Sequence, residues 1–175
     1  MKKKSILIIL TFVFISITFS CEKDDICAET TPTTPKLILR FYDITSQEDT
    51  KNATGLRVTE FNETNAISNL NIVTSDSINL PLRTNVNVTK FTFHKDYEAI
   101  TNTEGDTISI EGNPDIVTIN YQREDVYVSR ACGFKTIFNN LTFSVEDDGD
   151  KWILNSEIIN STVQNEITAH VKILH

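Results

Sequence analysis

Positive charge is scarce in this chain. Sixteen lysines and arginines stand against 24 aspartates and glutamates, a formal charge of −8 over 175 residues. So few cations cannot displace counterions from nucleic acid, and they give no electrostatic hold on an anionic bilayer. No nucleic-acid partner is expected. The three histidines, His94, His170 and His175, are scattered, and no CxxC occurs, which argues against a zinc centre. No phosphate loop, HExxH or Ser-His-Asp order is present, so no cofactor and no catalytic set are expected. No apolar run reaches the roughly twenty residues that a membrane-spanning helix needs.

What is present begins at the N-terminus. Lys2 to Lys4 precede a run from Ile6 to Phe19, fourteen residues that are all apolar or hydroxyl-bearing. A basic start and a run of this length match a secretory signal segment, removed on export. A short core helix is the competing reading, but the run is apolar on every side and sits behind three cations. The stretch "TFSC", residues 18 to 21, resembles a bacterial lipobox, with cleavage after Ser20 and a diacylglycerol joined to the Cys21 sulfur. Only a thiol is nucleophilic enough for that transfer near neutral pH. Phe19 and Thr18 depart from the common pattern and are similar to the looser Bacteroidetes-type form. The alternative is an ordinary signal peptide that happens to precede a cysteine. "CEKDD" resembles the signal that sends such lipoproteins to the outer face of the outer membrane; a solvated acidic linker is the plainer reading. Each buried methylene of an acyl chain contributes about 0.8 kcal/mol, and two chains hold firmly. The expectation is therefore a cell-envelope protein, anchored in the outer membrane by lipid and surface-exposed.

Removing 20 of the 175 residues leaves 155, enough for one domain with a sizeable core. The remainder carries 13 cations against 24 acids, a charge of −11. With Cys21 lipidated, Cys27 and Cys132 remain, in a compartment where disulfides persist. A bridge between them would close a long loop, for which the chain-entropy model assigns about 4.7 kcal/mol. Two separate buried thiols are the alternative. Residues 21–35 are polar, with Pro32 and Pro35, and read as a lipidated tether. Residues 36–175 read as a single β domain.

Within that domain the periodicity is that of strands. "KLILRFY" (36–42) and "LRVTEF" (56–61) favour β structure. "INLPL" (78–82) holds Pro81, which lacks an amide donor and marks an edge or a bulge. "VTKFTFHK" (88–95) alternates, with Phe91 and Phe93 on the inward side. "TEGDT" (103–107) and "EGNPD" (111–115) read as turns around a short "ISI". "IVTINYQR" puts Val117, Ile119 and Tyr121 on one face. "VYVSRACGFKTIF" is broken at Gly133. "EDDGDK" reads as a hairpin turn between "LTFSV" and "WILNSEII". "EITAHVKIL" places Ile167, Ala169, Val171 and Ile173 together, in a strand that belongs inside a sheet. About eight to ten short strands, with no 3.6-residue stripe, predict an all-β antiparallel sandwich or partly open barrel. The immunoglobulin pattern is not matched, because Trp152 follows both cysteines and Cys27 precedes the first strand.

Four stretches could carry chemistry. In "SRACGF" (129–134), Cys132 lies near Arg130 and could be a nucleophile with His94 or His170 as base; a disulfide half-site at a bend is the simpler reading. "VEDDGD" (145–150) fails the spacing of a calcium loop and reads as a solvated turn. Trp152, Tyr121 and Tyr127, with Tyr97, could form a sugar-stacking platform, although a lone tryptophan in a β domain is more often core. In "QREDVY" (122–127), Glu124 and Asp125 point to opposite strand faces and cannot act as a carboxylate pair; this too reads as a solvated turn.

"CAETTPTTPKLILRFYD", "INLPLRT", "INYQREDVYVSRACGFK" and "NEITAHVKIL" together resemble an uncharacterised family of small Bacteroidetes lipoproteins, over nearly the whole mature chain. The resemblance implies the lipobox, the two-cysteine pattern and a β-rich fold, and no activity. The functional expectation is a non-catalytic binding or structural module, held to the membrane by its lipid and serving an envelope protein partner. A glycan-binding accessory protein using an aromatic face is the alternative, and an enzyme whose site is assembled from distant residues is the third.

Overall fold

The computed structural model describes residues 26–175, and no helix occurs among them. The signal segment, Cys21 and the acids at Asp24 and Asp25 therefore lie outside the described residues. Two compact units are distinguished: residues 26–31 with Tyr127–Phe134, and Pro32–Val126 with Lys135–His175.

Nine strands form: β1 (Leu37–Tyr42), β2 (Ala53–Glu60), β3 (Val73–Ser75), β4 (Ser77–Leu80), β5 (Val88–Thr101), β6 (Thr107–Ser129), β7 (Gly133–Val145), β8 (Asn155–Ile158) and β9 (Val171–Leu174). They build a four-stranded sheet of order β4-β1-β9-β8 and a five-stranded sheet of order β3-β2-β5-β6-β7. The two pack into an open sandwich around one core, which joins Leu37, Leu39 and Phe41 of β1 to Val58, Phe91, Phe93, Val117 and Ile119 of the other sheet. All eight are fully buried. The alternation read in the sequence of β5 and β6 thus becomes the inner face of a sheet with its other side in water.

Four features differ from the sequence-based expectation. β1 and β9 pair in parallel, Leu39 opposite Val171 and Phe41 opposite Ile173, so the sandwich is antiparallel except at its centre. "EGNPD" is no turn. β5 and β6 run past it as one hairpin, with Asp96 and Tyr97 opposite Gly112 in a bulge. Gly112 has φ +104° there, and a Cβ on it would stand 2.5 Å from the carbonyl oxygens of Lys95 and Asp96. "QREDVY" is no turn either but lies within β6 beside β7, where Asp125 accepts the Thr136 hydroxyl at 2.7 Å and Glu124 accepts the Asn139 amide at 2.9 Å. "EDDGDK" carries the chain from β7 across to β8 in the opposite sheet and does not close a hairpin.

Other expectations are met. Pro81 follows β4, an edge strand, and its position leaves no ladder hydrogen bond missing. β9 is an inner strand, with Val171 and Ile173 fully buried, whereas Ile167 and Ala169, expected on the same face, precede the strand and Ile167 is exposed. The segment read as a tether departs from that reading at its end, which is part of the fold: Pro35 is buried, and Thr34 Oγ1 accepts the Thr136 amide at 3.0 Å.

Candidate functional site

The outer face of the five-stranded sheet carries an open groove of ≈ 410 Å³. Its floor comes from two neighbouring strands. Arg57 on β2 and His94 on β5 are register partners, and one residue along lie the core pair Val58 and Phe93. Because strand side chains alternate, a buried Val58–Phe93 pair forces Arg57 and His94 outward together. The bulge then swings Tyr97 over them. The Arg57 guanidinium sits 4.8 Å from the Tyr97 ring centre, and the imidazole of His94 meets the same ring edge-on at 4.9 Å. The far wall is the loop after β2. Arg57 Nε donates to Asn71 Oδ1 at 3.2 Å, and its Nη2 donates to the Thr64 carbonyl.

The electrostatics are those of a neutral histidine beside a fixed cation. Burial pushes the His94 pKa down, backbone hydrogen bonds with Glu111 and Gly112 act against that, and Arg57 adds to it. His94 Nε2 is buried with no hydrogen-bond partner in the protein. A buried polar atom without a partner costs free energy unless something else satisfies it. The groove therefore combines a guanidinium over an aromatic ring with the lining side chains of Thr59, Thr92 and His94, while the unpartnered Nε2 of His94 is itself closed to solvent. This is a set of groups for holding an acceptor-rich ligand or a polar loop of a partner. A larger hollow of ≈ 530 Å³ lies against the outer side of β1 and β4. Glu166 spans it, accepting from the Lys36 amide and the Asn79 side chain at 3.0 and 3.2 Å.

Cys27 and Cys132 are joined in a disulfide, with Cα atoms 4.9 Å apart. A bonded sulfur cannot be a nucleophile, so the thiol-enzyme reading of Cys132 is corrected. His170, offered as its base, is a fully enclosed structural residue. Its Nδ1 accepts the Ile38 amide at 3.1 Å, and its own amide donates to the Ile38 carbonyl at 2.9 Å.

The sugar-stacking platform is also corrected. Trp152 is 8 % exposed and Tyr121 3 %. Trp152 packs on Phe41 and His175 at 6.0 and 5.5 Å between ring centres and donates Nε1 to the Phe93 carbonyl at 3.1 Å. Tyr121 shares its hydroxyl with Thr89 at 2.6 Å and donates to the Arg83 carbonyl at 2.9 Å. Neither presents a ring face to solvent. Tyr127 is exposed, in the smaller unit. The acid-rich stretch 145–150 stays at the surface, and among the described residues no three His, Cys, Asp or Glu side chains gather closely enough to hold a metal ion.

One buried acid went unread. Asp115 is fully enclosed, and its two oxygens accept the amides of Trp152 (3.3 Å) and Ile153 (2.7 Å). Burial raises its pKa, and those two amides oppose the rise. It pins the crossover between the sheets. An acid placed where the inward positions of β6 continue was the available signal, hidden by reading "EGNPD" as a turn.

Fold and groove together define an open all-β sandwich with a polar recess on one outer face. Residues 55–175 match the model of a family of unknown function, DUF6452, and the chain belongs to that family. No curated protein and no solved structure matches it.

Proposed function

We propose that the protein is a lipid-anchored envelope lipoprotein whose β domain binds a partner and performs no catalysis. The observation that carries this reading is the junction at Ser20 and Cys21, which follows a fourteen-residue apolar run behind Lys2–Lys4. The Cys27–Cys132 disulfide supports it, because such bonds persist in oxidising compartments outside the cytoplasm. The groove around Arg57, His94 and Tyr97 supplies the binding surface, with polar groups suited to an envelope protein partner. The looser lipobox is of the Bacteroidetes type, and Lys23 with Asp24 and Asp25 directs the protein to the outward face of the outer membrane.

Expression in a bacterium with lipoprotein machinery tests this. The protein should take up labelled palmitate and stay with membranes through a carbonate wash, and Cys21→Ser should send it to the soluble fraction. Retention of Cys21→Ser in the washed membranes, or absence of label from the parent, overturns the anchor. Protease treatment of intact cells should degrade the protein; full protection overturns the outward placement. Affinity purification of the parent and of Arg57→Ala should differ by one stoichiometric companion, and identical recoveries overturn the role of the groove.

A further inference from the structure

Ten large apolar side chains are strongly exposed in the described residues, and only two of them are aromatic: Tyr127, 59 % exposed, and Phe134, 67 %. They face each other across one hairpin. Tyr127 stands near the end of β6 and Phe134 near the start of β7, with ring centres 5.4 Å apart and planes at 69°. A left-handed Gly133, at φ +69°, and the Cys132 amide bonded to Ser129 Oγ at 3.1 Å shape the tip. Exposed aromatic pairs are costly in water; tyrosine gains where an apolar medium meets a wet one, and phenylalanine gains by leaving water.

The surroundings of the pair are unlike the rest of the chain. Both rings belong to the compact unit that also holds residues 26–31. Ile26 of that unit is 83 % exposed. Its fourteen described residues hold one acid, Glu29, and one base, Arg130, and so balance in charge, while residues 22–25, which lead to Cys21, carry three acids and one lysine. The balanced charge around the two rings gives anionic lipid nothing to repel at that point, in contrast to the acidic remainder of the chain.

Covalent geometry decides what such a patch meets. Cys27 is bonded to Cys132, two residues before Phe134 and five after Tyr127. Cys27 is also six residues beyond Cys21. Six extended residues reach no more than about 22 Å, and the headgroup layers add some 10–15 Å to a bilayer whose apolar core is about 30 Å thick. A thioether at Cys21 that enters lipid therefore keeps the hairpin tip within reach of the membrane surface. A protein partner or a second copy could cover two rings as well, but neither explains why the disulfide fastens this particular hairpin to the base of the chain.

We propose that the Tyr127–Phe134 hairpin tip is an interfacial foot that rests among the headgroups of the membrane holding the lipid, with the two rings as its contacts. The aromatic rings sit at the level where interfacial tyrosines and tryptophans of membrane proteins gather. The foot limits the freedom of the anchored protein, so that the domain is held at the surface by two attachments, one covalent and one apolar. This inference rests on the lipid-anchor reading.

The test uses the processed full-length protein in vesicles of phosphatidylethanolamine and phosphatidylglycerol, some carrying bromine near the headgroup end of the acyl chain. Phe134→Trp introduces a reporter at an exposed position, and Tyr127→Trp supplies a second on the facing strand should the first disturb the fold. The signal of the parent, from buried Trp152, is subtracted. The foot predicts a blue-shifted emission quenched by the brominated lipid for either reporter. A membrane-bound protein with water-like, unquenched emission at both positions overturns the foot and leaves the anchor standing. A blue shift without bromine quenching also overturns it, since another protein then covers the rings. Mass analysis of Cys21 is run on the same sample: an unmodified cysteine with no vesicle binding overturns the anchor and the foot together.

Discussion

His170 offers a prediction that can be worked through from the structure. It sits where β9 begins, fully enclosed, and its ring stands in for a backbone carbonyl: Nδ1 accepts the Ile38 amide at 3.1 Å. The neighbouring ladder takes over one residue later, with Leu39 opposite Val171. Its carbonyl accepts the amides of Ile159 at 2.8 Å and Asn160 at 3.1 Å. Replacing His170 by Leu keeps the bulk and removes the acceptor, stranding a buried amide at a cost of about 1–3 kcal/mol. His170→Asn keeps an acceptor near the Nδ1 position and should recover part of that loss. The pH dependence gives an independent readout. Burial lowers the His170 pKa from the ordinary 6.5, against the Asn165 backbone and Glu166, which pull it up. A lowered folded-state pKa means that the unfolded chain binds the proton first. The stability contributed by neutral His170 is complete above 6.5 and is lost as pH falls below it. The slope approaches about 1.4 kcal/mol per pH unit for one group. Urea denaturation of the parent and His170→Leu between about pH 8 and pH 5 should therefore show a gap that narrows on acidification. His94 and His175 are lowered in the same direction, but both proteins retain them, so the difference isolates His170. A gap that stays constant with pH refutes the titration argument, and a Leu variant as stable as the parent at pH 8 refutes the hydrogen-bond argument.

Other perturbations have definite outcomes. Asp115→Ala leaves the Trp152 and Ile153 amides unpaired, at about 1–3 kcal/mol each, and should shift the emission of Trp152 as the crossover loosens; unchanged emission and midpoint would refute the pinning role. Gly112→Ala forces a Cβ against two carbonyl oxygens at positive φ. It should cost about 1–3 kcal/mol and speed amide exchange in the outer part of the β5–β6 hairpin, leaving the core slow; protection equal to the parent would sink the bulge argument. Cys27→Ser with Cys132→Ser should lower stability by about 2–5 kcal/mol, read by thermal unfolding with and without reductant, and a reductant effect that persists in the double variant would show that this bond is not the source.

Much of the fold was legible because its signals are local. Phe91 and Phe93 alternate with polar neighbours and land in the core, as do Val117, Ile119 and Tyr121. Pro81 marked an edge for want of an amide. Two of the misread segments, "EGNPD" and "EDDGDK", share one cause. Gly112 and Gly149 both supply positive φ, and a single sequence cannot say whether that angle closes a turn, forms a bulge inside a long strand, or bends a crossover. Partner strands decide, and they lie far away in the chain. The groove was less legible still. Arg57 and His94 are 37 positions apart and meet only through the β2–β5 register, and Tyr97 joins them only because the bulge turns it. Trp152 was legible from its type alone: a lone tryptophan in a β domain is more often core, and it is buried.

The parallel β1–β9 pair has a consequence for biogenesis. Ile38 and His170 are 132 residues apart and hold each other by two hydrogen bonds. A ribosome or a translocation pore delivers the first strand long before its inner neighbour exists, and topologies dominated by such distant pairings fold slowly. The β4-β1 pair can form early, but it gains its inner neighbour only after residue 171 has been made, so this sheet closes in two separate stages.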